Sequence, residues 1–421
     1  MNIDDAPAQT RTDGHPGARH RLSIAVVTET YPPEVNGVAA TIAHVVDGLR
    51  ERQHRVQLVR PRQRHDGPDG RVSDNGWVEE VRVGGLPIPR YPHLRMGLPA
   101  GRELAGLWAA TRPDVVHIAT EGPLGWSALR AASRLRLPVT SDFRTNFHAY
   151  SAHYGIGWLR GPIEAYLRGF HNRTRRTMVP TEALRRQLEA IGFERLAVVA
   201  RGVDTRRFHP DHRSDELRRS WGAGPQDNVV LCVGRLAPEK NLDTLLLAWN
   251  VMKARNPAMR LVLVGDGPLR HSLAARCPEA VFAGQRRGAD LAAHYASSDL
   301  MLFPSVTETF GNVTPEALAS GVPVLAFDYA AAAQMVRTGE SGALVPTGQT
   351  AAFVAQALAW AADPQSARAM GAAARESALG HDWGRIVGQI EAVMQGAMAG
   401  LAPTAAAAAA TQEAGHEALR V

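Results

Sequence analysis

Apolar residues fall along this 421-residue chain in two alternating ways: short unbroken runs rich in Val, Ile and Leu, and longer stretches where they recur every three or four positions. The runs predict strands buried on both faces, and the periodic stretches predict helices that cover them. RLSIAVVTE (21–29) reads as the first strand, TYPPEVNG (30–37) as a turn and VAATIAHVVDGLRER (38–52) as a helix. HRVQLVRP, DVVHIAT and LPVTSDF continue the strands, with helical material such as PLGWSALRAASRLR between them. Near residue 197 the pattern restarts: LAVVARGVD, NVVLCVGRL, MRLVLVGDG, AVFAGQ, DLMLFPS and VPVLAFD predict a second series. Alternation of this kind builds parallel sheets. The expected fold is α/β, with two doubly wound, Rossmann-like domains over 21–196 and 197–380 that face a central cleft, where such sheets bind ligands. HDWGRIVGQIEAVMQGAMAG has a helix's period, and 381–398 is expected to pack back on the N-terminal domain. Residues 1–20 and the alanine-rich 399–421 read as disordered tails.

Length agrees with two cores rather than one. A formal charge of +6 suits anionic partners. The arginines do not form a reading motif or interleave with a stacking platform, so nucleic acid is not an expected partner. Of 47 basic residues only Lys240 and Lys253 are lysines, which marks Lys240 as a residue to explain. Cys232 and Cys277 lack metal-ligand spacing, and neither a zinc site nor a disulfide framework is suggested. There is no apolar run of eighteen residues and no apolar leader, so the expectation is a cytoplasmic protein that neither spans a membrane nor is secreted.

The densest chemistry lies in the second half. GRLAPEKN puts Arg235 and Lys240 on the loop leaving a strand's C-terminal edge. A guanidinium grips phosphate with paired hydrogen bonds and an ammonium adds a compact charge, so the pair suits a diphosphate; the plain alternative is two solvated loop charges. SVTETFGNVTPEALASG (305–321) places Glu308 on a loop and Glu316 in the first turn of a helix, with seven residues between them. The amides of Phe310, Gly311, Asn312 and Val313 point from that helix start into the cleft and offer an anion site. Carboxylates beside phosphate are better aimed at hydroxyls, which donate to them; the alternatives are a helix-end charge for Glu316 and an exposed loop acid for Glu308.

GRLAPEKN, VGDGP, SVTETFGNVTPEALASGVPV and the final HDW helix together resemble the retaining nucleotide-sugar glycosyltransferases of family four, which have the GT-B fold, over roughly residues 21–398. The resemblance implies that Arg235 and Lys240 bind the donor diphosphate, that Glu308 contacts the donor sugar and that Glu316 binds the ribose. It also implies metal independence, no cofactor beyond the nucleotide-sugar co-substrate, and α-configured products. Asn36 and Gly37 stand where the family sets a glycine against the donor phosphates. In SDFRTNFHAYSAHYG, Arg144 occupies the position of a histidine common in relatives; as a fixed cation it suits the departing phosphate or an anionic acceptor, with His148 or His153 as further polar contacts. The strand end FAGQRRG, with Gly284, Gln285, Arg286 and Arg287, is expected beside the base and does not separate guanine from uracil.

The TNF-H-x-Y run resembles a subgroup that contains GDP-mannose-dependent mannosyltransferases and sulfoquinovosyltransferases acting on lipids. The expected partners are therefore a nucleotide-sugar donor and a lipid or glycolipid acceptor. GIGWLRGPIEAYLRGFHNRTRR, with Arg160, Arg168, Arg173, Arg175 and Arg176 against Glu164, adds an anionic membrane surface; its plain alternative is a solvated helix. The expected reaction moves a hexosyl group, mannosyl favoured, to a lipid hydroxyl. The alternatives are UDP-sugar-dependent glucosyl or sulfoquinovosyl transfer to diacylglycerol, and nucleotide-sugar epimerisation on the same fold.

Overall fold

A computed structural model of the chain describes residues 21–399, apart from Val35, His65, 68–69, Asn75, 89–90 and 145–159. Nearly all of the expected tails, with His148 and His153, therefore lie outside the described residues.

The first half is built on β1 (Ser23–Val27), β2 (Arg55–Pro61), β3 (Arg71–Asp74), β4 (Val78–Val83), β7 (Val115–Ile118), β8 (Val139–Asp142), β9 (Arg176–Val179) and β10 (Leu196–Val198), with a separate hairpin of β5 (Gly85–Ile88) and β6 (Tyr91–Gly97). The sheet order is β10-β9-β8-β7-β1-β2-β4-β3, parallel except where β3 meets β4. Val26 and Ile24 on β1 are fully buried, as expected of a strand covered on both faces. The second half holds β11 (Val229–Val233), β12 (Arg260–Val264), β13 (Val281–Gly284), β14 (Leu300–Phe303), β15 (Val324–Phe327) and β16 (Gly342–Val345), all parallel in the order β13-β12-β11-β14-β15-β16.

One boundary differs from the sequence reading. The run LAVVARGVD was expected to open the second sheet, yet β10 pairs with β9 in parallel and closes the edge of the first. Apolar pattern marks a strand but not the edge it joins, and β9 still has an unpaired edge when the chain reaches Leu196. The second sheet starts at Val229, after a passage in which Val203, Phe208 and Trp221 already belong to its core.

The helix Trp383–Ala399 lies across the first half. Its Ile386, Val387, Ile390 and Met394 share one core with Ile42, Val45 and Val46 of the helix Gly37–Glu51. Arg52 Nε donates to Glu391 Oε2 at 2.6 Å and Arg175 Nη1 to the Ala397 carbonyl at 2.8 Å, so polar clasps hold the same helix.

Candidate functional site

Strand order changes direction between β11 and β14, because β11 pairs with β12 on one side and β14 on the other. Such a switch point opens a crevice at the carboxyl ends of the strands. Arg235 and Lys240 leave β11, and Glu308 leaves β14, so the fold brings the three together. The two loops are laced: Asn241 Nδ2 donates to the Pro304 carbonyl at 3.2 Å and Thr307 Oγ1 to the Glu239 carbonyl at 2.8 Å. Lys240 Nζ is ion-paired with Glu308 Oε1, which also accepts from Ser305 Oγ at 2.7 Å. Arg235 is half exposed and reaches Glu239 at 3.5 Å. The VGDGP motif supports this loop from behind: a Cβ on Gly265, at φ 136°, would sit 1.9 Å from the Gly234 carbonyl oxygen. That backbone crossing admits only glycine.

Glu308 is followed by a turn at Gly311, φ 88°, and then by the helix Val313–Ala319. The first bond of that turn runs from Thr314 N to the Gly311 carbonyl, so the amides of Gly311, Asn312 and Val313 precede the intrahelical ladder. Phe310 is buried and its carbonyl accepts from Ala331 N, so its ring serves the core. Asn312 Oδ1 and Thr314 Oγ1 are buried without a hydrogen-bond partner, two polar atoms of this turn that the protein itself leaves unmatched.

Glu316 and Asn312 line a cavity of about 210 Å³, together with Arg207, Arg286, Arg287, Gly288, His44 and Trp383. The last two rings stack at 4.7 Å and come from opposite ends of the chain. Tyr295 OH donates to Glu316 Oε2 at 2.8 Å. Burial pushes the Glu316 carboxyl up to about 7, against the opposing pull of the Tyr295 hydrogen bond and the Arg207 charge. Gly284 lies just outside: it ends β13 and its carbonyl accepts from Gly265 N, while Arg286, Arg287 and Gly288 reach the cavity. Gly37 faces the turn across the cleft, since a Cβ there would meet Asn312 Nδ2 at 3.7 Å. Asn36 does not present its side chain to the cleft. It caps the helix Gly37–Glu51, accepting from Ala39 N at 2.8 Å and donating to Thr30 Oγ1 at 2.7 Å.

With this geometry established, residues 35–207 match the family described as Glycosyltransferase Family 4, and residues 227–363 match Glycosyl transferases group 1. A GDP-mannose-dependent alpha-mannosyltransferase of Mycobacterium tuberculosis is 36% identical over 379 residues, covering 88% of this chain and 97% of that protein. The chain belongs to glycosyltransferase family 4. A second relative of this glycosyltransferase, from the same organism, is a GDP-mannose-dependent alpha-(1-6)-phosphatidylinositol monomannoside mannosyltransferase, 31% identical over 84% of the chain and 92% of that protein. Among solved structures, the sucrose-phosphate synthase of Thermosynechococcus elongatus superposes with a TM-score of 0.71 at 19% identity, covering 90% of this chain and 100% of that one, which shows the GT-B fold.

On the other wall of the glycosyltransferase's cleft, Arg144 leaves β8 and is buried. Its Nε donates to Asp142 Oδ2 at 2.7 Å and its Nη2 is ion-paired to the same oxygen. His117 Nε2 meets that oxygen at 3.1 Å, while its Nδ1 meets Thr140 Oγ1 at 3.0 Å. Burial alone would raise the Asp142 carboxyl, but Arg144 and His117 outweigh it and hold it well below the usual range. Arg144 thus stands in the cleft as a cation clamped by the Asp142 carboxylate. Tyr295 and Arg201 were absent from the sequence reading. Tyr295 looks like an ordinary core aromatic, and Arg201 is one more arginine in a chain full of them; only contact across the fold reveals either. Among the described residues, no group of three or more His, Cys, Asp or Glu side chains is placed to hold a metal.

Proposed function

We propose that this glycosyltransferase moves a mannosyl group from GDP-mannose to a hydroxyl of a lipid or glycolipid, with retention of the donor's α configuration. The observation that carries the reading is the meeting of loops at the β11/β14 switch point: Lys240 pairs there with Glu308, and on the helix that follows, Glu316 lines a cavity with Arg207, Arg286 and Arg287. The donor and acceptor classes are supported by the relatives named above. Arg235, Lys240 and the turn amides stabilise the charge that grows on the diphosphate as it leaves. Glu308 receives a hydroxyl of the sugar and Glu316 a hydroxyl of the ribose.

The sugar's anomeric carbon breaks its bond to the diphosphate oxygen and forms one to the acceptor oxygen on the same face. The acceptor's proton passes to the departing phosphate. Fixed side-chain cations supply the leaving-group charge stabilisation, so the reading includes metal independence, and rates should be equal with and without a chelator. The test is nucleotide release from GDP-mannose and from UDP-sugars, with and without diacylglycerol or glycolipid. Lipid-stimulated release of GDP, with an α-linked product by NMR, is expected. Release from UDP-sugars alone would overturn the donor, a β-linked product the stereochemistry, and release that ignores the acceptor the transfer itself.

A further inference from the structure

Arg201 lies where the chain crosses from the first half to the second, and it is 9% exposed. Among the described residues its guanidinium makes no hydrogen bond and no ion pair. The group stands over the Phe310 ring, 5.9 Å from the centroid, and so faces the turn that carries Glu308. Arg144, 8% exposed, lines the same small recess as Arg201. The nearest carboxylates are committed elsewhere: Asp142 holds Arg144 and His117, and Glu308 holds Lys240 and Ser305. Three cations, Arg144, Arg201 and Lys240, thus meet two acids, Asp142 and Glu308.

A largely buried guanidinium that no described acid pairs, beside another guanidinium, opposes folding. Burial, and next the Arg144 charge, pull Arg201 below its ordinary pKa, against Asp142 and Glu308. Removing the Arg201 guanidinium would relieve that cost, so an arrangement of this kind is explained when an anion enters it. Planar forks suit the oxygens of phosphate, carboxylate or sulfonate.

We propose that Arg144 and Arg201 form a second oxyanion-binding site in the cleft, on the wall facing Arg235 and Lys240, which receives an acidic group of a reactant. The inference rests on the cleft being the transferase site. The shared chemistry is an oxyanion, and two sources supply it: the donor's diphosphate or an acid carried by the acceptor.

The full-length chain is melted with and without inorganic phosphate and pyrophosphate, as wild type, Arg201→Met and Arg201→Lys. The ligand-free Arg201→Met chain should melt no lower than wild type, because an unmatched buried charge has gone, while the rise in Tm caused by either anion should fall by half or more. Arg201→Lys should retain part of that rise. Titration with GDP then assigns the source. A loss of about tenfold in GDP affinity in Arg201→Met places the donor's diphosphate there. Unchanged GDP affinity, with KM raised about tenfold for an acidic lipid acceptor and unaltered for a neutral one, places the acceptor's acid there. A lower ligand-free Tm with anion response, GDP affinity and both KM values unchanged would make Arg201 merely structural and overturn the proposal. Should Arg201→Met not fold, the wild type gives a second reading: pyrophosphate must shield Arg201 from phenylglyoxal, followed by peptide mass, and absence of shielding counts against the site. Melting needs no turnover. A chain that responds to phosphate through Arg201 but does not turn over GDP-mannose would contradict the proposed donor and leave this site standing.

Discussion

Glu316 is the residue whose environment has the most direct functional consequence. Burial raises its folded-state carboxyl to about 7, so below that pH the folded protein holds a proton that an unfolded chain would release near its ordinary value. Stability from this group is therefore full below the unfolded value and is lost as pH rises through 7. In the proposed donor complex a ribose hydroxyl donates to the carboxylate, so donor binding should run the other way. KM for GDP-mannose should rise as pH falls below 7, and Glu316→Gln should flatten the profile; a flat wild-type profile would contradict the assignment. Glu316→Ala removes a charged acceptor, and since such hydrogen bonds contribute about 1.5–3 kcal/mol, KM should rise at least about tenfold. Lys240→Met leaves Glu308 without its cation and should lower kcat by about 100-fold or more, the usual scale for removing one transition-state charge contact. The spacing of Arg235, Lys240, Glu308 and Glu316 was readable in the sequence because each lies on a loop whose motif is local. Tyr295 and Asp142 were not readable as positioning residues, since Glu316 is 21 residues along from the first, and the second meets His117 only across neighbouring strands.

At the scale of elements, the buried parallel strands were legible because burial on both faces leaves an unbroken apolar run. The strands β3, β4, β9 and β16, of which β3 and β16 are sheet edges, and the β5–β6 hairpin were missed: most are short, and several carry polar residues that interrupt the run. VGDGP shows how a motif that marks the family can be architectural. Its glycines let one loop cross another, and that crossing sets where Arg235 and Lys240 stand. Gly265→Ala forces both a left-handed conformation and a backbone clash, so unfolding should become easier by at least about 1–3 kcal/mol in a denaturant titration, with GDP affinity falling in parallel. Unchanged stability would show that the crossing can relax.

Over the whole molecule, the final helix joins the two halves by completing the first half's core from the far end of the chain. The cleft wall combines His44, near the beginning, with Trp383, near the end, an arrangement no local pattern announces. The basic helix Arg160–His171 also looks different once folded. Arg168, and Arg173 just beyond the helix, donate to the carbonyls of Ile191 and Gly169, no acid among the described residues pairs with them, and Tyr166 on the same helix is exposed. That surface should bring the protein to vesicles containing anionic lipid in low salt and release it at high salt, read by sedimentation; equal sedimentation with neutral vesicles would argue against it. No helix among the described residues is long and apolar enough to cross a membrane. The central claim is that the crevice between β11 and β14 holds the nucleoside diphosphate. Its most direct test is calorimetric titration of GDP, with UDP alongside, into the wild type and into Lys240→Met/Glu316→Ala. One GDP per chain, with affinity lost by 100-fold or more in the double variant and its fold intact, is the result this account predicts. Equal affinity in the two chains would contradict it.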